Sequence, residues 1–318
     1  GSEGPVVQLG SAVGSIVGQL SRLGGDVCKA LIGCGAAAGI AATFHAPMAG
    51  VLFALELILG QFSTGTFSLI VISAVLASVT SQVFLGDQPV FPVPEYTLVH
   101  TGELLLYALL GILAALVATL FIRVLYKTSD VWEGIDSVPP YIKPAIGGLM
   151  VGAIGVFYPQ IMGMGFDSIE AALHNQMLPA LLFALVGLKI LATTLSISSG
   201  GSGGVFAPSL YIGAMLGGAF GSLIHAMSPS TTAAAGAYAL VGMGALFAGT
   251  TQAPLTAIVM LFELTRNYQI ILPLMVCCVI SSIMAGRLSS ETIYTTKLAQ
   301  KGISLPRQAD ARMQARAQ

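Results

Sequence analysis

The chain has 318 residues, 55% of them hydrophobic and only 8% charged, where an ordinary soluble domain carries about a quarter charged residues. Thirteen Lys and Arg against fourteen Asp and Glu leave a net charge of −1, which offers no basic surface for nucleic acid. Cys28, Cys34, Cys277 and Cys278 sit in apolar stretches without CxxC spacing and read as small buried hydrophobes, and the four histidines show no ligand spacing; the pattern supports neither a metal centre nor a disulfide framework.

Charge distribution narrows the class further. Residues 190–262 contain no Asp, Glu, Lys or Arg, and neither do 30–55, 57–86, 104–122 and 267–286. A bilayer-spanning helix needs about 20 mostly apolar residues, so the chain reads as a polytopic, all-α membrane protein of about ten to twelve helices, several too short to cross. Its 38 glycines suit close helix approach within lipid. Gly1 is no initiator Met, and the expectation is that the natural protein starts earlier.

In chain order, the pattern predicts a short helix from Gly4 and helices near 11–23, 27–43, 46–59 and 66–85. Residues 86–102, with three prolines and two acids, read as an aqueous, extended loop that divides the chain. Helices follow near 103–127, 140–158 and 179–195, then a Gly-rich turn at 198–204, then helices near 206–226, 232–248, 253–266 and 269–286. The segment 167–179 reads as a solvated connecting turn. Six basic residues after the last span (Arg287, Lys297, Lys301, Arg307, Arg312 and Arg316) predict a cytoplasmic C-terminus by the positive-inside rule.

An internal repeat is visible. At an offset of 207, Gly35, Ala41, Thr43, Ala46, Pro47 and Glu56 fall on Gly242, Ala248, Thr250, Ala253, Pro254 and Glu263. A looser match sets residues 1–4 on 201–204, at an offset of 200. Related halves of this kind build transporters and channels, with the ion site where interrupted helices of the two halves meet.

The two Gly-rich turns carry the chemistry. In G-S-E-G-P-V-V-Q at 1–8 and S-S-G-G-S-G-G-V-F-A-P at 198–208, glycines permit a tight turn ahead of a helix. The helix N-terminus then directs N–H groups and its dipole at an anion without placing a full positive charge in the bilayer. Glu3, inside the first turn, either occupies that site as a protonatable plug or caps its own helix. The turn at 198–204 lacks the G-K-[ST] ending of a nucleotide loop. Glu56 and Glu263, at equivalent positions, read as sharing a structural task, although intramembrane carboxylates are functional candidates in general. Lys189 pairs with a carboxylate, snorkels, or adds positive potential to an anion path. Tyr294 is either an interfacial tyrosine or a phenolic donor at a pore mouth. An enzyme reading finds no nucleophile and base at motif spacing.

These residues resemble the CLC family of chloride channels and proton/chloride exchangers. G-S-E-G-P at 1–5 is similar to that family's G-[KR]-E-G-P signature and G-S-G-G-V-F-A-P at 201–208 to its G-x-F-x-P signature; residues 36–56 resemble its long helix pair, and Tyr294 stands where its pore tyrosine does. The resemblance runs from residue 1 to about 303. It implies an inverted-repeat bundle of tilted, partly broken transmembrane helices, in a homodimer with one chloride pore per subunit and no cofactor. The transmembrane domain would be 1–303, with an incomplete first repeat 1–85, a second repeat about 103–288 and a pore-lining end helix about 290–303; 304–318 would be a cytoplasmic tail at the cell membrane.

By the same resemblance Glu3 is the gating glutamate, and Ser2, Glu3, Gly4, Val205, Phe206 and the Tyr294 hydroxyl line the bound chloride. Helices holding Ala36–Glu56 and Ala253–Arg287 would form the dimer contact. Three departures stand out. Ser2 replaces the family's basic residue. Leu57 stands where the family's exchangers carry an internal proton-accepting carboxylate. The family's serine-bearing G-S-G-I-P motif would precede residue 1. The expected function is therefore a glutamate-gated chloride channel, with a proton/chloride antiporter as the second reading and a non-conducting fragment or membrane subunit as the third.

Overall fold

The computed structural model describes residues 3–87, 89–135, 138–289 and 291–297, the side chain of Glu3 excepted. They form twelve α-helices: α1 (Glu3–Leu20), α2 (Gly25–Phe44), α3 (Pro47–Phe53), α4 (Thr64–Leu85), α5 (Glu103–Glu133), α6 (Lys143–Phe157), α7 (Phe166–Leu173), α8 (Pro179–Ser198), α9 (Phe206–Met227), α10 (Ala235–Thr251), α11 (Pro254–Thr265) and α12 (Ile271–Leu288). Six, namely α2, α4, α5, α8, α9 and α12, are long and apolar enough to cross a membrane. The chain is a multi-pass membrane protein. The short helix from Gly4 and the one near 11–23 are a single continuous α1, because Gly10 is tolerated inside a helix.

Two compact bodies emerge, Pro5–Val90 and Phe91–Thr292. In the smaller, Ala36, Ala37, Ala41, Val51, Ala54, Leu55, Ile70 and Ala74 form a core of mostly small side chains. Polar bonds supplement it: Ser73 Oγ donates to Cys34 O at 3.1 Å and Ser81 Oγ to Ala42 O at 2.7 Å, tying α4 to α2. Hydroxyl-to-carbonyl bonds of this kind hold helices together where water cannot compete. The outer face of α4 exposes Ile72, Leu76, Val83 and Phe84, as a lipid-facing helix does.

In the larger body α9 and α10 are buried along most of their length and form the centre. The Tyr107 and Tyr238 rings of α5 and α10 stack at 4.5 Å. Gly111 lets α5 lie against α12, since a Cβ there would come within 2.8 Å of the Cys277 carbonyl.

The repeat is realised within each body separately. His45 and Gln252, 207 residues apart, both end their helices in left-handed backbone (φ 51, ψ 35 and φ 55, ψ 34), and Ala46 and Ala253 follow at φ −123, ψ 73 and φ −122, ψ 76. Ahead of this corner the helix crossings match too. A Cβ on Gly10 would lie 2.1 Å from the Gly35 carbonyl oxygen, and one on Gly213 2.3 Å from that of Gly242. Gly14 and Gly217 likewise abut the carbonyls of Leu31 and Tyr238, each at 2.1 Å. These glycine ladders align α1 with α9 at an offset of 203, which corrects the offset of 200 read from the turns. Pro5 then falls on Pro208, and Glu3, which opens α1, on Phe206, which opens α9.

Past the corner the copies differ by one residue. Residues 54–59 are π-helical, and the first copy ends at Gly60 (φ 65) where the second ends at Arg266 (φ 52), an offset of 206. A π turn accommodates one inserted residue in an otherwise helical run. The turn contains Glu56 and Leu57.

Two loop expectations are overturned. Residues 167–179 are not simply a solvated turn: α7 occupies 166–173 and buries Ser168, Ile169, Ala172 and Leu173. The Pro-rich segment is extended but not simply aqueous, since Phe91 and Tyr96 are buried. Phe91 meets Phe166 edge to face at 5.1 Å and donates its N–H to Leu264 O. The Tyr96 hydroxyl donates to Leu173 O and accepts from Asn175 Nδ2, while Asn175 Oδ1 accepts from Gly236 N. Burial pushes the Tyr96 phenol above the usual tyrosine range, with the Asn175 bond pulling the other way, so the hydroxyl stays a donor through the physiological range.

Glu103, unremarkable in the sequence, closes this network. It is 2% exposed, and its carboxylate accepts from Val99 N (3.1 Å), Ala233 N (2.6 Å) and the Tyr238 hydroxyl (2.7 Å). Removing the carboxylate orphans three donors at once, each costing about 1–3 kcal/mol when buried. Glu103→Leu should therefore lower stability by roughly 3 kcal/mol or more, read as a fall in the detergent-phase melting temperature; an unchanged melting temperature would refute the network's role.

Candidate functional site: the uncapped start of α9

The Gly-rich turn performs two tasks in a few residues. It ends α8: Gly200 takes left-handed backbone (φ 92), and the N–H groups of Gly200 and Gly201 return to Ile197 O and Ser196 O at 3.1 and 3.0 Å. This pairs the last carbonyls of α8 as a left-handed helix end does. The turn then opens α9, with Val205 as N-cap (φ −104, ψ −10) and no side-chain cap. A helix N-terminus directs N–H groups and the positive end of its dipole at an anion.

Several side chains fix this end in place. Ser209 Oγ donates to Val205 O at 2.7 Å, Thr250 Oγ1 lies 3.3 Å from Ser209 Oγ and 3.0 Å from Phe247 O, and the rings of Phe206 and Phe247 pack at 4.9 Å, near-perpendicular. The end of α10 thus braces the start of α9. Sequence reading named Thr250 only as a repeat position and missed Ser209 and Phe247. Their signal was the spacing of Ser209 one turn past Val205.

Of the expected anion-site residues, Val205 and Phe206 stand together at this end. Gly4 lies in the first turn of α1 with open space where a Cβ would be, and groups with the same body. Ser2 lies outside the described residues, as does the Glu3 side chain, although Glu3 begins α1. Tyr294 sits in a turn after α12, is 38% exposed, and groups with the smaller body. Residues 298–318, which include the last six residues of the expected end helix and all of the tail, lie outside the described residues.

The other candidates resolve differently. Glu56 and Glu263 are both half-buried, each nine residues after its Pro-bearing corner. Lys189 neither snorkels nor pairs with a carboxylate among the described residues. It is 2% exposed and donates to Ile161 O at 2.8 Å and Gly163 O at 2.9 Å. Cys277 and Cys278 are buried and Cys28 and Cys34 half-buried, all as free thiols.

Comparison with known proteins places the whole arrangement. The model of the voltage gated chloride channel family matches residues 1–286; the chain belongs to this family, and its fold is the all-α, inverted-repeat membrane bundle of CLC transporters. It is 36% identical over 308 residues to the H(+)/Cl(−) exchange transporter ClcA of Citrobacter koseri, covering 94% of this chain and 65% of that protein. It is 39% identical over 303 residues to chloride channel protein CLC-e of Arabidopsis thaliana, covering 86% of this chain and 42% of that protein. The crystal structure of a slow cyanobacterial Cl−/H+ antiporter superposes with a TM-score of 0.84 at 31% identity, over 95% of this chain and 71% of that one. The chain thus spans two thirds or less of the length of these two sequence relatives.

Proposed function

We propose that this chain forms the anion pathway of a chloride transport protein, and that its transport is channel-like, with Glu3 competing with chloride for the pore site. The observation that carries the reading is the equivalence of two helix starts. The G-S-E-G-P turn and the G-G-V-F-A-P turn begin α1 and α9 at the same position of the repeat. One start is Gly-rich and presents helix N–H groups, and the other holds an acid, the one side chain that mimics a bound anion. The channel-like assignment rests on Leu57, whose aliphatic side chain holds no proton. Relatives carry both labels, exchanger for the bacterial one and channel for the plant one, so antiport through another proton route is the competing reading.

The same proposal includes a homodimer, with Leu255, Leu272, Met275 and Ile283, exposed on α11 and α12, turned to the partner. It also places the C-terminus in the cytoplasm. Arg123 donates to Leu288 O at 3.1 Å and Lys143 to Trp132 O at 2.6 Å; together with Lys127 and Arg287 they gather basic residues at one end of the larger body. The positive-inside rule turns that end to the cytoplasm.

The test is anion efflux from liposomes containing the full-length protein, with and without an uncoupler, while external pH is recorded. With valinomycin carrying K+ as the countercharge, efflux that needs no uncoupler and moves no protons is the expected result. Stoichiometric opposing proton flow would replace the channel by an antiporter, and no efflux in either condition would overturn the transport reading.

A further inference from the structure

Lys189 presents an unusual electrostatic situation. Its ammonium is buried within the larger body, where an unpaired charge is costly, and no carboxylate among the described residues lies within ion-pair distance. The groups that hold it are neutral. Ile161 O and Gly163 O accept two of its N–H bonds, and the Tyr211 ring lies 4.5 Å away, centroid to Nζ. The negative face of an aromatic ring attracts a cation and repels a lone pair, so this cradle suits the protonated amine.

The cradle is also rigid. The Tyr211 hydroxyl donates to Gln160 O at 3.1 Å and Ser168 Oγ to the same oxygen at 3.2 Å. At Gly165, where φ is 77, a Cβ would collide with the Tyr211 ring at 2.4 Å. Carbonyl dipoles and a ring solvate the charge without cancelling it. Its field therefore reaches further than that of an ion pair.

The direction in which it reaches is set by α9. Tyr211 stands five residues along that helix from Phe206, a rise of about 7.5 Å. An ammonium over Tyr211 is thus on the order of 10 Å from the helix start. We propose that Lys189 is an electrostatic positioning residue, whose uncompensated charge strengthens anion binding at the start of α9 without touching the anion. This inference rests on the reading that α9 begins at the anion site.

At about 10 Å and an effective dielectric near 20, removing one unit charge weakens anion binding by about tenfold. The measurement is the chloride dependence of efflux from liposomes containing the full-length protein, beside thermal unfolding in detergent. Lys189→Met should raise the half-saturating chloride concentration about tenfold, and Lys189→Arg should restore it, whereas a merely structural lysine would alter melting and leave the chloride dependence alone. Should Lys189→Met fail to fold, Gly163→Asp neutralises the charge while keeping the lysine. Gly163 has φ 60 and open space around its Cβ, a backbone that Asp and Asn tolerate; Gly163→Asp should reproduce the shift and Gly163→Asn should not. Saturable wild-type efflux with no shift in Lys189→Met or Gly163→Asp overturns the role of Lys189 alone. Absence of saturable chloride efflux from the wild type overturns the anion-site reading and this inference with it.

Discussion

Glu3→Gln should raise anion flux at neutral pH by on the order of tenfold or more and make it independent of pH between about 4 and 7. The physical basis is competition. An ordinary glutamate titrates near pH ~4.3, so at pH 7 more than about 99% of such side chains are charged. A carboxylate tethered at a helix N-terminus competes with chloride for the same N–H groups at a high effective concentration. Acid protonates it and vacates the site, so wild-type flux should rise as pH falls. Glutamine is close to the same size, cannot ionise, and lacks the charge that holds a carboxylate in the anion site. Its flux should sit at the acid limit of the wild type at every pH. The measurement is chloride efflux from liposomes stepped through that pH range. A Glu3→Gln variant with wild-type flux and an intact pH profile would show that Glu3 only caps α1, the alternative that the sequence left open.

Gly242→Ala should cost about 3 kcal/mol or more, a large share of the stability of an ordinary domain. A Cβ there would lie 2.4 Å from the carbonyl oxygen of Gly213, 2.9 Å from Gly217 Cα and 3.1 Å from Gly217 N, all backbone. No rotamer change relieves such a clash, so α9 and α10 must separate, and these helices form the buried centre of the larger body. Gly35→Ala should behave alike in the smaller body, since its Cβ would meet the Gly10 carbonyl oxygen at 1.9 Å. The control is Gly152→Ala in α6, where a Cβ meets nothing within 4 Å; it should stabilise by up to about 1 kcal/mol through helix propensity. Thermal unfolding in detergent ranks the three. Equal melting temperatures would mean that the glycine ladders are not what holds each helix pair together.

Much of this protein was legible in one dimension. The membrane class follows from long stretches without charge, because a bilayer admits few ionisable groups and the deficit accumulates along the chain. The corner at Ala46-Pro47 and Ala253-Pro254 was legible because proline fixes backbone locally, and the two copies adopt nearly the same dihedral angles. The α9 start was legible because glycine and proline mark where a helix ends and the next begins. In each case the information is carried by neighbours in sequence.

Tertiary structure decided what depends on distant partners. Glu103 reads as one more acid near a loop until folding brings Ala233 N and the Tyr238 hydroxyl to it. Lys189 allowed three readings, and its burial in a carbonyl cradle, 26 and 28 residues away in sequence, removes two of them, snorkelling and a carboxylate pair among the described residues. The pairing of α1 with α9 was misplaced by three residues because glycine-rich turns match one another in many registers. Only the helix crossings, where a missing Cβ meets a carbonyl on another helix, specify the true offset. Composition and punctuation determine class and element order because they act locally, whereas the solvation of a buried charge and the register of a helix pair are properties of the packed chain.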